Sequence, residues 1–120
     1  MRIIGVDLHS NSLTACYLNQ DKSEQLRTLS LKELQTFKES LLADDEVAVE
    51  ATNNVRWFVE QIRPLVSRVV IVNPSQFEVI RKSVKKTDRH DARALAQFLQ
   101  KDLLPESRLK DKTAAQMESL

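Results

Sequence analysis

Carboxylates and cations crowd into KKTDRHDARALAQFLQ, residues 85–100, in a combination suited to phosphate chemistry. Asp88 and Asp91 stand three apart at the head of an apolar-periodic run, with Arg81, Lys82, Lys85, Lys86, Arg89 and Arg93 around them. Two further carboxylates close short β-rich runs elsewhere, Asp7 in RIIGVDL and Glu50 in EVAVE. Hard oxygen donors of this kind suit magnesium or manganese. Two such ions about 3.5–4 Å apart can activate a nucleophile and stabilise the leaving oxygen of a phosphodiester. Clustered Lys and Arg gain affinity for nucleic acid by releasing its counterions.

Simpler explanations exist for each residue. Asp7 and Glu50 can end their strands facing water, although a carboxylate in an apolar run is costly to bury unless it is paired or bound to metal. Aspartates in a first helical turn complement the helix dipole, by roughly 0.3–1 kcal/mol each. A basic run is commonly just a solvated face. Helix geometry separates the readings for residues 88–99. At about 100° per residue, Asp88, Asp91, Ala92, Leu95 and Leu99 fall on one side. Capping does not require a place on the packing stripe, yet these aspartates head it and face whatever the helix docks against.

The elements that must position them follow from periodicity. IIGVDL suits a buried strand, HSNS a turn, and SLTACYL alternates Leu13, Ala15 and Tyr17 along one face. After NQDK comes a weaker third strand, EQLRTLS. Ser30 and Glu33 form a capping box, and Leu31, Leu34, Phe37 and Leu41 predict a helix over 31–42. EVAVE is a fourth strand. Asn53 or Asn54 then caps a helix bearing Val55, Phe58, Ile62 and Val66, whose last turn Pro64 disturbs. RVVIV is the fifth strand. Asn73-Pro74 starts a helix to about Arg81, SVKKT reads as a loop, and a last helix runs from Asp88 to about Lys101, ending before Leu104-Pro105.

A hairpin meander followed by alternating helices and strands predicts an α/β domain with a mixed five-stranded sheet, order 3-2-1-4-5. Right-handed crossovers place the fourth strand beside the first, so Asp7 and Glu50 converge at the strand ends where open α/β sheets bind ligands. With Asp88 and Asp91 opposite, four carboxylates would repel unless divalent cations lie between them. Of the remaining residues, His9 shares a strand face with Asp7 and is otherwise a turn residue. His90 falls on another helical face from the aspartates and reads as exposed. Phe58 is core by its helical spacing, whereas Trp57 is left open between core and base stacking.

Composition bounds the partners. A hydrophobic share of 42% with 29% charged residues is that of an ordinary globular domain, and 120 residues suffice for one core. No apolar run approaches the ~20 residues a bilayer needs, and MRIIGVDL is interrupted too early for a signal peptide. The single cysteine, Cys16, fits a reducing cytoplasm, and neither it nor the two histidines have zinc-site spacing. The net charge of +1 hides an asymmetry: residues 1–50 hold 5 Lys/Arg against 9 Asp/Glu, while residues 51–120 hold 13 against 8. Composition alone does not choose between a solvated surface and a phosphate-binding patch in the second half.

Four motifs in order, GVDLHSNSLTACYL, VAVEATNN, VVIVNPSQ and KKTDRHDARALAQFL, resemble the DEDD transposases of bacterial insertion sequences, from about residue 2 to 106. The resemblance implies an RNase H-like (RuvC-like) catalytic domain over residues 1–104 that cleaves and exchanges DNA strands. It implies Asp7, Glu50, Asp88 and Asp91 as catalytic ligands of Mg2+, with Mn2+ as a substitute. Lys82, Lys85, Lys86, Arg89 and Arg93 would then bind the nucleic acid. DNA is the implied partner, a guide RNA a partner in some members, and a homo-oligomer the implied full-length state. Residues 105–120 would be a linker and the start of a connecting helix, with the family's C-terminal domain and its catalytic serine lacking. Complete transposition by this polypeptide alone is not expected. Where the family usually reads V-E-A-T-G-N, this chain has Asn53 in place of the glycine. Two alternatives stay open, a stand-alone RuvC-type junction resolvase and a non-catalytic nucleic-acid-binding fragment. An actin-like or sugar-kinase module is disfavoured, because such folds need glycine-rich phosphate loops and Gly5 is the only glycine.

Overall fold

Alternating apolar residues make the first thirty positions a meander of three antiparallel strands, β1 (Ile3–Leu8), β2 (Ser12–Leu18) and β3 (Glu24–Ser30). The computed structural model describes residues 1–52, 54–83 and 91–104, with the side chains of 80–83 and 91 outside that description. β4 (Glu46–Glu50) and β5 (Arg68–Val72) add to the other side of β1, each in parallel. The sheet order is β3-β2-β1-β4-β5, as the hairpin and the two right-handed crossovers require.

Two apolar layers bury the sheet. On one face Ile4, Val6, Leu13, Ala15, Tyr17, Val47, Val49 and Ile71 meet α1 (Leu34–Glu39) and α2 (Val55–Ile62). Phe37 of α1 stacks on Phe58 of α2 there, with ring centroids 5.9 Å apart. On the other face Ile3, Cys16, Leu18, Ala48, Val70 and Val72 meet α3 (Pro74–Ser83) and α4 (Asp91–Gln100). Phe77 from α3 and Phe98 of α4 pack edge to face, with ring centroids 5.6 Å apart.

Several helix boundaries differ from the periodicity. The Ser30–Glu33 capping box is present, but it closes a 3₁₀ turn, Leu31–Glu33, before the α-helix begins. The helix stops at Glu39 rather than 42, because the Ser40 hydroxyl donates to the Phe37 carbonyl at 2.6 Å and Ser40 N–H folds back to the same oxygen. Leu41 still packs on the core from beyond the helix end. Pro64 turns the end of α2 into a 3₁₀ segment, Arg63–Leu65. Asn73 does cap α3, its Oδ1 accepting from Gln76 N–H at 3.1 Å, and the helix runs two residues past Arg81. Expectations for Asn53, for the SVKKT loop beyond Ser83, for the helix start at Asp88 with His90, and for 105–120 lie outside the described residues.

One buried ion pair ties the chain start to the loop before β4. Asp45 has no exposed surface and accepts from Arg2 Nε at 3.0 Å, Arg2 Nη2 at 2.7 Å and Leu42 N–H at 2.7 Å. Arg2 Nη2 also donates to the Ser40 carbonyl, and the guanidinium lies 5.2 Å from the Tyr17 ring centre. The Asp45 hydrogen bond holds the Arg2 pKa above its ordinary value.

The β2–β3 turn yields a prediction. Asp21 Oδ1 accepts from Ser23 Oγ at 2.6 Å and Ser23 N–H at 2.9 Å, while Lys22 takes a left-handed φ of 71°. These bonds, the hydroxyl first, favour the carboxylate and hold the Asp21 pKa below its ordinary 3.8. A depressed acid stabilises the fold above the unfolded value and loses that contribution as pH falls through the folded one. Carbon-detected NMR titration should place Asp21 below 3.8, and Ser23→Ala should move it back upward.

Candidate active site

Gly5 decides how closely α4 lies on the sheet. A Cβ there would collide with the Ala92 carbonyl oxygen and stand 2.5 Å from the Ala96 nitrogen and 3.0 Å from Leu95 Cβ. The helix backbone thus rests directly on β1, with Ala48 of β4 giving the same small surface beside it. The expected stripe of Ala92, Leu95 and Leu99 is buried, and Ala94, Ala96 and Phe98 are buried too, since α4 also meets α3. Leu99 and Gln100 share a surface pocket with Met1 and Ile3, at the start of β1. With Ala92 and Ala96 both over Gly5, α4 runs opposite to β1, and its first residue, Asp91, lies toward the end of the strand that carries Asp7.

Alternation puts Asp7 on the same face as Ile3 and Gly5, the face that α4 covers. The β1–β4 register pairs Gly5 with Ala48 and Val6 with Val49, so one step further Asp7 stands beside Glu50, on strands about 4.8 Å apart. Glu50 is half-buried, and 23% of the Asp7 side chain is exposed, enough for solvent or a ligand to reach it. His9 Nε2 donates to Asp7 Oδ2 at 3.2 Å, and its own ring is largely exposed. On the other side of β1, Thr14 pairs with Asp7 across the hairpin and shares a 3.1 Å hydroxyl bond with Thr28.

Asn54 adds a contact that spacing did not reveal. It holds the N-cap position of α2, but its side chain makes no cap bond. Its Nδ2 donates instead to the His9 carbonyl at 3.3 Å, while its Oδ1 accepts from Thr52 Oγ1. The His9–Asn11 turn is therefore held from α2 and also by Leu31 N–H, which donates to the Asn11 carbonyl. Only the adjacency of Asn54 to the β4 end hinted at this.

Of the sequence-derived site residues, Asp7 and Glu50 are brought together. Asp91 is placed by its backbone at the start of α4, and Lys82 by its backbone in α3. Asp88, Lys85, Lys86 and Arg89 lie outside the described residues. Arg93 reaches across the sheet, its Nε 2.7 Å from Glu24 Oε1 of β3, and Gln97 Nε2 donates to the other oxygen of the same carboxylate. Among the described side chains, which do not include those of Asp88 and Asp91, no three of His, Cys, Asp or Glu form one metal-sized cluster. Asp7 and Glu50 nonetheless fit a magnesium-type ion, which commonly takes one or two carboxylates and fills its sphere with water and phosphate.

An antiparallel hairpin, two parallel strands added beside β1, helices on both faces and carboxylates at the ends of β1 and β4 together define an RNase H-like fold of the RuvC-like type. Within that class, residues 4–120 match the family model of the DEDD transposases of the IS110 type, described as transposase, and the chain belongs to this family. No curated protein matches the chain. Membership implies a DNA partner and divalent-metal use in general terms. Among the described residues no helix is long and apolar enough to cross a membrane.

Proposed function

We propose that this chain is a catalytic domain for metal-dependent DNA strand cleavage and exchange, with Asp7, Glu50, Asp88 and Asp91 as its carboxylate set. The observation that carries the reading is the pairing of Asp7 with Glu50 on the face where α4 points its first turn. When bound, Mg2+ or Mn2+ would polarise a phosphate oxygen and make water or a hydroxyl a better nucleophile.

The chain's own groups divide the remaining work. Asp7 and Glu50, on neighbouring strand ends, fix two oxygen donors on a rigid sheet. The His9 N–H held by Asp7 Oδ2 orients that carboxylate, in the way an outer-shell donor orients a ligand. Lys82, Lys85, Lys86 and Arg89 precede α4 in sequence and supply attraction for the phosphodiester. Arg93 serves first as an anchor, since contact with DNA would require it to give up Glu24.

The test is calorimetric titration with Mn2+ of the wild type and Asp7→Asn. We expect the substitution to weaken binding by more than about 100-fold, beyond the cost of losing an outer-shell partner. Identical binding curves would refute the metal assignment.

A further inference from the structure

Trp57 is the sole tryptophan and keeps 42% of its surface exposed, while its neighbour Phe58 is fully buried. A large exposed aromatic is more informative than a small exposed apolar residue, because folding gains most by burying it. Its location adds to this. Trp57 is one helical turn after Asn54, the residue that bonds to the carbonyl of His9, whose ring in turn contacts Asp7. Residues three apart on a helix are neighbours, about 5–6 Å between Cβ atoms. Trp57 therefore stands toward the end of the sheet that carries the Asp7–Glu50 pair, but on α2 and so across the sheet from that pair, which a strand would reach by passing round the His9–Asn11 turn.

The surrounding charge suits a polyanion. Arg56 precedes Trp57 and Arg63 follows two turns later, both exposed, with Glu60 between them. Trp57 lies on a rigid support, because Val55, Phe58, Val59 and Ile62 lock the inner face of α2. Gln61, one turn on from Trp57, accepts from Lys38 Nζ of α1 at 3.3 Å. An exposed aromatic on a fixed helix, with Arg56 on that helix, Arg63 at its C-cap and the carboxylate pair at the same end of the sheet, can stack an unpaired nucleobase.

We propose that Trp57 is a stacking platform for an unpaired base of the DNA strand whose phosphate sits at Asp7 and Glu50. This rests on the catalytic reading above and adds a binding site to it. Stacking requires the strand to be single-stranded or locally opened at that position, so Trp57 favours a frayed or distorted duplex over a continuous one.

The experiment uses the 120-residue chain and a labelled single-stranded DNA of about twelve nucleotides at low salt. The intrinsic emission of Trp57 should be quenched on saturation. Trp57→Leu, which keeps an apolar side chain, should bind roughly 5- to 150-fold more weakly, and Trp57→Phe should retain most of the affinity. An abasic nucleotide at one position should reproduce the Leu loss in the wild type and add little in the variant. Equal affinity of wild type and Trp57→Leu, or unchanged emission at saturation, overturns the proposal while leaving the metal site standing. Quenching by RNA alone overturns its assignment to the DNA strand. If the wild type binds no DNA, the catalytic reading falls with it. Mn2+ titration of Trp57→Leu, expected to match wild type, separates lost stacking from a damaged site.

Discussion

Gly5→Ala should destabilise the protein by about 3 kcal/mol or more, a large effect for the addition of one methyl group. The reason is where the methyl would go. It meets backbone atoms of α4, the Ala92 carbonyl oxygen and the Ala96 nitrogen at 2.5 Å, rather than the flexible tip of a side chain. Backbone within a helix cannot swing aside, so the whole of α4 must lift from the sheet. Lifting it loosens the contacts of Leu95, fully buried over β1, and of Ala92 and Ala96. Urea unfolding followed by circular dichroism measures the loss as a lower midpoint. Gly5→Val should be worse, and a midpoint within experimental error of wild type for Gly5→Ala would mean that the helix is not seated as described. The same substitution should weaken Mn2+ binding under folded conditions, since Asp91 rides on the displaced helix.

Removal of Asp45 should cost a similar amount for a different reason. Asp45→Ala deprives Arg2 of both its carboxylate bonds and leaves Leu42 N–H without its acceptor. Breaking a buried pair by deleting one partner costs about 3–5 kcal/mol, because the surviving charge keeps its desolvation penalty. Arg2 is 23% exposed and can turn partly toward water, which puts the expected loss at the lower end of that range. Arg2→Met should cost at least as much, since Asp45 has no route to solvent. The double variant Arg2→Met, Asp45→Leu should recover part of the loss, and thermal unfolding of the three proteins compares them directly. Additive losses in the double variant would show that the two side chains are not energetically coupled.

Much of the architecture was legible in residue order alone. Strand alternation in SLTACYL and the apolar runs IIGVDL and RVVIV set strand faces, and crossover handedness then put Asp7 beside Glu50. The Ala92–Leu95–Leu99 stripe correctly gave the docking side of α4. What escaped was local competition and long-range pairing. The 31–42 periodicity continues through Leu41, yet the Ser40 hydroxyl captures the Phe37 carbonyl and ends the helix early. Asn54 looked like a cap because Asn caps helices well, but the His9 carbonyl offered its side chain another partner 45 residues away in the chain. Arg93 read as one more cation in a basic run, and its partner Glu24 is separated from it by most of the fold. Gly5 was legible as a shortage of phosphate-loop glycines, whereas its role as a seat for α4 needed the helix in place. Four carboxylates were legible as a pattern, and of them the structure brings Asp7 and Glu50 side by side.

The seating of α4 on Gly5 also has a consequence for the order in which the protein comes into being. Residues 1–72 contain all five strands and the helices that cover one face. The opposite face, with Gly5 and Ala48 at its centre, is closed by α4, the last described helix of the chain. During synthesis, therefore, the strands that carry Asp7 and Glu50 leave the ribosome before Ala92 and Leu95. Throughout that interval Asp7 and Glu50 lie on a sheet face still waiting for the helix that begins with Asp91.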